Sequence, residues 1–115
     1  MKDYAGEIEY KGTKYKIVFN LNVMEAIQDE YGTLEKWGEL TDGAKGEPNV
    51  KAIIYGIREM LNEGIDIQNE EEGTDIKPLT LKQVGRLITA IGVEEVTSKM
   101  NDTVVESTKS TEKNA

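Results

Sequence analysis

The chain has 115 residues, with 14 Lys and Arg against 22 Asp and Glu, a formal charge of −8, and neither Cys nor His. This composition excludes thiol chemistry, imidazole acid–base catalysis, Ser/His/Asp triads and the common zinc and iron ligand sets. Its length suits one domain with a single core. The acidic excess argues against binding duplex nucleic acid through its phosphates, so protein is the expected partner.

The wholly apolar runs, such as residues 17–19 and 52–55, fall far short of the ~20 residues of a membrane helix, so no membrane association is expected. Met1-Lys2-Asp3-Tyr4 has no apolar signal core, and a cytoplasmic location is the expectation. From residue 7 to residue 19, Ile8 and Tyr10, then Tyr15, Ile17 and Phe19, alternate with mainly charged neighbours, the pattern of a β-hairpin. Lys11-Gly12-Thr13-Lys14 is its turn, with Gly12 at positive φ and Tyr10 and Tyr15 flanking the loop. A lone hairpin is marginal in water, so its apolar face must rest on the helices that follow.

Asn20 or Asn22 caps a first helix whose Val23, Met24, Ile27 and Tyr31 share a face, and Gly32 ends it. Thr33 caps a short second helix that turns Leu34, Trp37 and Leu40 inward, before residues 41–48 form a surface loop. After Asn49, the series Val50, Ile53, Ile54, Ile57, Met60 and Leu61 marks the most buried helix, with Gly64 as its left-handed C-cap. Residues 65–78 then read as a second loop, mobile around Glu70-Glu71-Glu72-Gly73. Thr80 and Gln83 form a capping box for a fourth helix, which turns Leu81, Val84, Leu87, Ile88 and Ile91 to one side until Gly92. Val93, Val96, Met100 and Val104 mark a weaker last helix or a segment that orders on binding. The reading is an α+β fold: an N-terminal β-hairpin packed on about four helices in one domain, residues 1–105, and a disordered tail, residues 106–115.

Candidate chemistry is sparse. Glu63, Asp66, Glu70, Glu71, Glu72 and Asp75 are the only acids clustered enough to hold a hard cation, but their spacing breaks the EF-hand order, so they read as a solvated loop and no metal site is assigned. The many acids offer no distinguished pair for glycoside hydrolysis, and no glycine-rich stretch fits a phosphate cradle, so neither a catalytic residue nor a cofactor is assigned. Trp37, in register with Leu34, reads as core, with a binding-surface anchor as the alternative. Met24 and Met60 read as gap-fillers in the core, and Met100 is open between core and contact.

Gly12-Thr13-Lys14-Tyr15-Lys16-Ile17-Val18-Phe19-Asn20-Leu21-Asn22, followed by Ile27 and Tyr31-Gly32-Thr33-Leu34, resembles the opening of the small tail assembly chaperones of long-tailed bacteriophages and prophages. Ala52-Ile53-Ile54-Tyr55-Gly56-Ile57 is similar to the family's later apolar helix, and Pro78-Leu79-Thr80-Leu81-Lys82-Gln83-Val84-Gly85 to its proline-led final helix. The resemblance spans residues 8–92 and rests on the order and spacing of these motifs; the acidic segment at 66–76 departs from it. It implies that Tyr15, Ile17, Phe19, Leu21, Ile27, Tyr31 and Gly32 build the fold.

The resemblance further implies a non-enzymatic protein of the host cytoplasm, absent from the mature virion. Such a protein binds and shields the helical tape-measure protein and helps recruit tail-tube subunits, with self-association left open. Many members are also made in a longer form by −1 frameshifting, and Glu112-Lys113-Asn114 permits the slippery heptamer A-AAA-AAC. Ile65, Ile67, Val96 and Met100, the apolar residues of the second loop and the last helix, are the expected partner contacts. The alternatives are a permanent component of the tail or head-to-tail joint and, ranked lower, an acidic mimic of nucleic acid.

Overall fold

A computed structural model of the chain describes residues 4–43 and 46–113, with side chains described for residues 6–43 and 46–108. Two antiparallel strands, β1 (Tyr4–Tyr10) and β2 (Thr13–Phe19), precede five helices: α1 (Leu21–Tyr31), α2 (Leu34–Asp42), α3 (Val50–Glu72), α4 (Leu81–Ile91) and α5 (Val93–Lys113). The fold is α+β, a hairpin packed on helices.

Tyr10 pairs with Thr13, so the hairpin loop is only Lys11-Gly12, and Thr13 and Lys14 belong to β2. Both loop residues take positive φ, 52° and 77°, as a type I′ turn requires to match the twist of the strands. Tyr15 lies opposite Ile8 and Ile17 opposite Gly6, so the apolar alternation falls on one face of the ribbon. Ile8, Ile17 and Phe19 are buried there with Val23 and Ile27 of α1, Trp37 of α2, Ile57, Met60 and Leu61 of α3, and Leu87 of α4.

The helix starts follow from local chemistry. Asn20, Thr33, Asn49 and Thr80 each accept a hydrogen bond from the backbone N–H three residues on, satisfying a donor the helix itself leaves unpaired. Gln83 returns a bond to the Thr80 N–H at 2.8 Å and completes the capping box.

Beyond the shorter hairpin turn, α2 reaches Asp42, so Thr41 and Asp42 of the expected 41–48 loop are helical, and the stretch after Gly64 also differs from the sequence reading. Gly64 does not end α3: the helix runs to Glu72, and Gly73, at φ 69°, is the left-handed cap. Gly64 serves instead for close approach, because a Cβ on it would lie 2.6 Å from the Lys16 carbonyl oxygen of β2. The acidic residues 66–72 therefore belong to the end of a long helix rather than to a loop.

The connection from α3 to α4 is held along α3 by two asparagines two turns apart. Asn69 accepts from the Ile76 N–H and donates to its carbonyl, each at 2.9 Å. Asn62 accepts from the Leu79 N–H at 2.8 Å and donates to its carbonyl at 3.1 Å. Each carboxamide gives the extended segment the pairing a neighbouring strand would give it.

The last stretch, read as a weaker helix or a segment that orders on binding, is a helix, α5, from Val93 to Lys113. Val96, Met100, Thr103 and Ser107 are each 0% exposed and form one stripe. α5 packs on the hairpin at Gly6, where an added Cβ would stand 3.0 Å from the Thr103 hydroxyl. That hydroxyl donates to the Lys99 carbonyl one turn earlier at 2.8 Å, which allows its burial. The Lys99 ammonium in turn donates to the Glu7 carbonyl of β1 at 3.0 Å. Ala44 and Lys45 of the expected 41–48 loop, and Asn114 of the slippery-codon segment, lie outside the described residues.

Candidate docking groove

The apolar positions expected as partner contacts are mostly interior. Ile65 is 4% exposed, and Val96 and Met100 are fully enclosed, the last two within the same cluster as Ile17 and Phe19. These three are corrected to core, since their side chains are spent in holding α3 and α5 to the hairpin. Ile67, on the same helix as Ile65, is half-buried. The four do not form a surface. Trp37 is also core: it is 2% exposed, and its indole N–H donates to the Ala52 carbonyl at 3.0 Å.

The open apolar surface lies elsewhere. Val50 and Leu81, read on the apolar faces of their helices, and Val93, read in the weaker last stretch, are 64%, 48% and 50% exposed. Each is the first residue of its helix. A side chain there points back past the helix start, beyond the turn that packs on the core. The fold gathers these three starts along one cleft. A cavity of about 520 Å³ is lined by Val50, Ile54, Gly85 and Val93 among others, and an adjoining one of about 420 Å³ shares Val50, Ile54 and Gly85 and adds Leu81.

Together they form a groove that follows the outer side of α4 from Leu81 past Gly85 to Val93, with Ile54 of α3 as its inner wall. At 1.5 Å per residue α4 is about 16 Å long, three turns of helix. Gly85 keeps the floor low, as its Cα bears no side chain opposite the Ile54 δ-methyl group.

The charge along this groove is opposite in sign to the net charge of the chain. In a chain of net charge −8, Lys51, Lys82 and Arg86 line it, and no carboxylate does among the described lining residues. The positive ends of the α3 and α4 dipoles open at the same place. Tyr55 forms the far wall. Its hydroxyl donates to the Ala26 carbonyl of α1 at 3.0 Å, and its ring meets Tyr31 edge-on at 5.5 Å. Burial, then the neighbouring Glu59 and Glu30, raises its pKa above the ordinary tyrosine value.

The acids once considered for a cation do other work or stand apart. Glu63 accepts from both Asn20 and Asn22, at 2.6 and 3.0 Å, tying the start of α1 to α3. Among the described residues, no three acidic side chains converge to hold a metal ion, and no helix is long and apolar enough to cross a membrane. The groove was missed at the sequence level because an apolar residue at a helix start has the same periodicity whether it faces core or solvent. The signal present was a lysine directly after the apolar first residues Val50 and Leu81, with Arg86 one turn further along α4. Comparison with protein-family models, with curated proteins and with solved structures finds no match to this chain.

Proposed function

We propose that this chain is a non-catalytic tail assembly chaperone of a long-tailed phage or prophage. It binds and shields the tape-measure protein in the host cytoplasm and helps recruit tail-tube subunits. The observation that carries the reading is the open groove along α4: exposed Val50, Leu81 and Val93 around the half-buried Ile54 offer apolar surface of a width and length suited to one amphipathic helix. A long helical protein displays such a stripe until the tube encloses it. The order of motifs from Lys14-Tyr15-Lys16-Ile17-Val18-Phe19 through Tyr31-Gly32 to Pro78-Leu79-Thr80 supports the same reading. The net charge of −8 keeps a complex of this kind dispersed.

Co-expression tests it. The tape-measure protein encoded beside this chain is expected to move from the pellet to the soluble fraction when the chain is present and to co-purify with it. An unchanged pellet refutes the proposal. Mass spectrometry of purified particles is expected to lack the chain; its presence in stoichiometric amount favours a permanent tail or head-to-tail component instead.

A further inference from the structure

We infer that the groove along α4 is a docking site for an amphipathic α-helix whose apolar stripe is flanked by Asp and Glu, an inference that rests on the chaperone reading and names the chemistry of its partner. The apolar part of the argument is geometric. Val50, Leu81 and Val93 are exposed at three helix starts, and they border a continuous trough that has Ile54 on its inner wall and Gly85 on its floor. A trough three helical turns long takes a helix lying along it, with apolar anchors spaced three and four residues apart.

The electrostatic part selects the sequence of that helix. Lys51 and Lys82 flank the Leu81 end and Arg86 stands one turn further along α4, while the described lining residues include no acid. Two helix N-termini add positive potential at that end. The chain as a whole carries a net charge of −8, so a helix with acidic flanks is favoured where apolar surface and basic side chains meet without an acid, as here, over the acidic parts of the surface, and one with basic flanks is drawn to those acidic parts. Specificity thus comes from the contrast between the groove and its surroundings. A second copy of this chain is a less suitable occupant, because two chains of net charge −8 repel as they approach.

The test uses the full chain and two synthetic helical peptides of about 14 residues, roughly four turns. They share one leucine stripe and differ only in Glu or Lys at the flanking positions. The Glu peptide is expected to bind at least tenfold more tightly, to shift the backbone amides of Gly85, Thr89 and Ala90, and to weaken as salt rises. In the Lys51→Glu, Lys82→Glu double variant, both sites exposed and outside the core, that preference is expected to reverse. Equal binding of the two peptides, no binding of the Glu peptide, or shifts confined to another face overturns the inference. So does a groove whose amides shift with protein concentration alone, which places a second copy there.

The two proposals fail separately. A double variant that solubilises the tape-measure protein as well as the unmodified chain does overturns the groove and leaves the chaperone. A chain that binds the Glu peptide in the groove but never solubilises the tape-measure protein overturns the chaperone and leaves the groove.

Discussion

Four glycines inside helices separate two effects that a Gly→Ala substitution combines. In a helix interior, alanine is favoured over glycine by about 1 kcal/mol, chiefly because glycine loses more backbone freedom on folding. Whether that gain is realised depends on what the new methyl group meets. At Gly38 it meets nothing within 4 Å, and at Gly85 only the Ile54 δ-methyl at 3.7 Å, an ordinary van der Waals contact. Both variants are expected to be more stable by about 0.5–1 kcal/mol.

At Gly64 the methyl would stand 2.6 Å from the Lys16 carbonyl oxygen, and since both groups are fixed to backbone, α3 and β2 must separate. At Gly56 it would run into the Trp37 ring, 2.9 Å from Cε2. That ring is enclosed and tethered by its bond to Ala52, so it has no room to swing aside. Overpacking of this kind costs about 1–3 kcal/mol or more and outweighs the propensity gain.

Both variants share the propensity gain, so the separation between Gly85→Ala and Gly64→Ala is the overpacking cost, about 1–3 kcal/mol, on the order of 10 °C in Tm for a domain this size. Urea denaturation with the slope checked for constancy measures it. Gly64→Ala matching Gly85→Ala in stability would mean that α3 does not lie against the edge of β2, and the packing argument fails.

Asn62→Ala removes two hydrogen bonds to Leu79 and leaves its N–H and carbonyl unpaired against α3, with an expected loss of about 2 kcal/mol and faster amide exchange at Leu79. Tyr31→Phe is expected to be neutral or slightly stabilising, because the Tyr31 hydroxyl is buried without a hydrogen-bond partner among the described residues; Tyr55→Phe loses the bond to Ala26 and about 1 kcal/mol. Burial raises the pKa of both tyrosines above 10.0, so the unfolded chain ionises first; stability is flat below that pH and falls as pH rises through the folded values, and the absorbance titration of tyrosinate is expected to lose its late-titrating component in the Tyr31→Phe, Tyr55→Phe double variant. Met100→Ala opens a cavity among Val96 and the hairpin residues and is expected to cost about 2–5 kcal/mol in the same urea experiment; a loss under 0.5 kcal/mol would show α5 detached from the core.

Where a local signal decides a local structure, the residues alone were sufficient. Thr33 and Thr80 cap their helices, Asn20 is the cap among the two asparagines offered, Gly12 makes the hairpin turn, and Gly32 and Gly92 end helices as read, because each acts on backbone groups within a few residues. Gly64 misled because glycine serves two needs, a left-handed cap and the close approach of two backbones, and only a partner distant in sequence distinguishes them. The last helix stays open between two readings at the sequence level for a related reason. The α5 stripe passes from Val96 and Met100 to Thr103 and Ser107, small polar residues that read as a fading amphipathic pattern. They are small because the hairpin lies close at Gly6, and buried because Thr103 satisfies its hydroxyl within its own helix.

The candidate site was the least legible part. Ile65, Val96 and Met100, read as contacts, are core, while Val50, read in the most buried helix, and Leu81 and Val93, read on the apolar stripes of theirs, face solvent. Hydrophobic periodicity reports that a residue is on the apolar face of its helix and nothing about what that face meets. The sequence by itself determined the hairpin, the helix starts, the acidic charge and the absence of thiol and imidazole chemistry, since all of these follow from composition or from neighbours along the chain. The tertiary structure alone decided that the starts of three helices converge on one cleft and that Lys51, Lys82 and Arg86 surround it, because Val50, Leu81 and Val93, far apart along the chain, become neighbours only when α3, α4 and α5 pack.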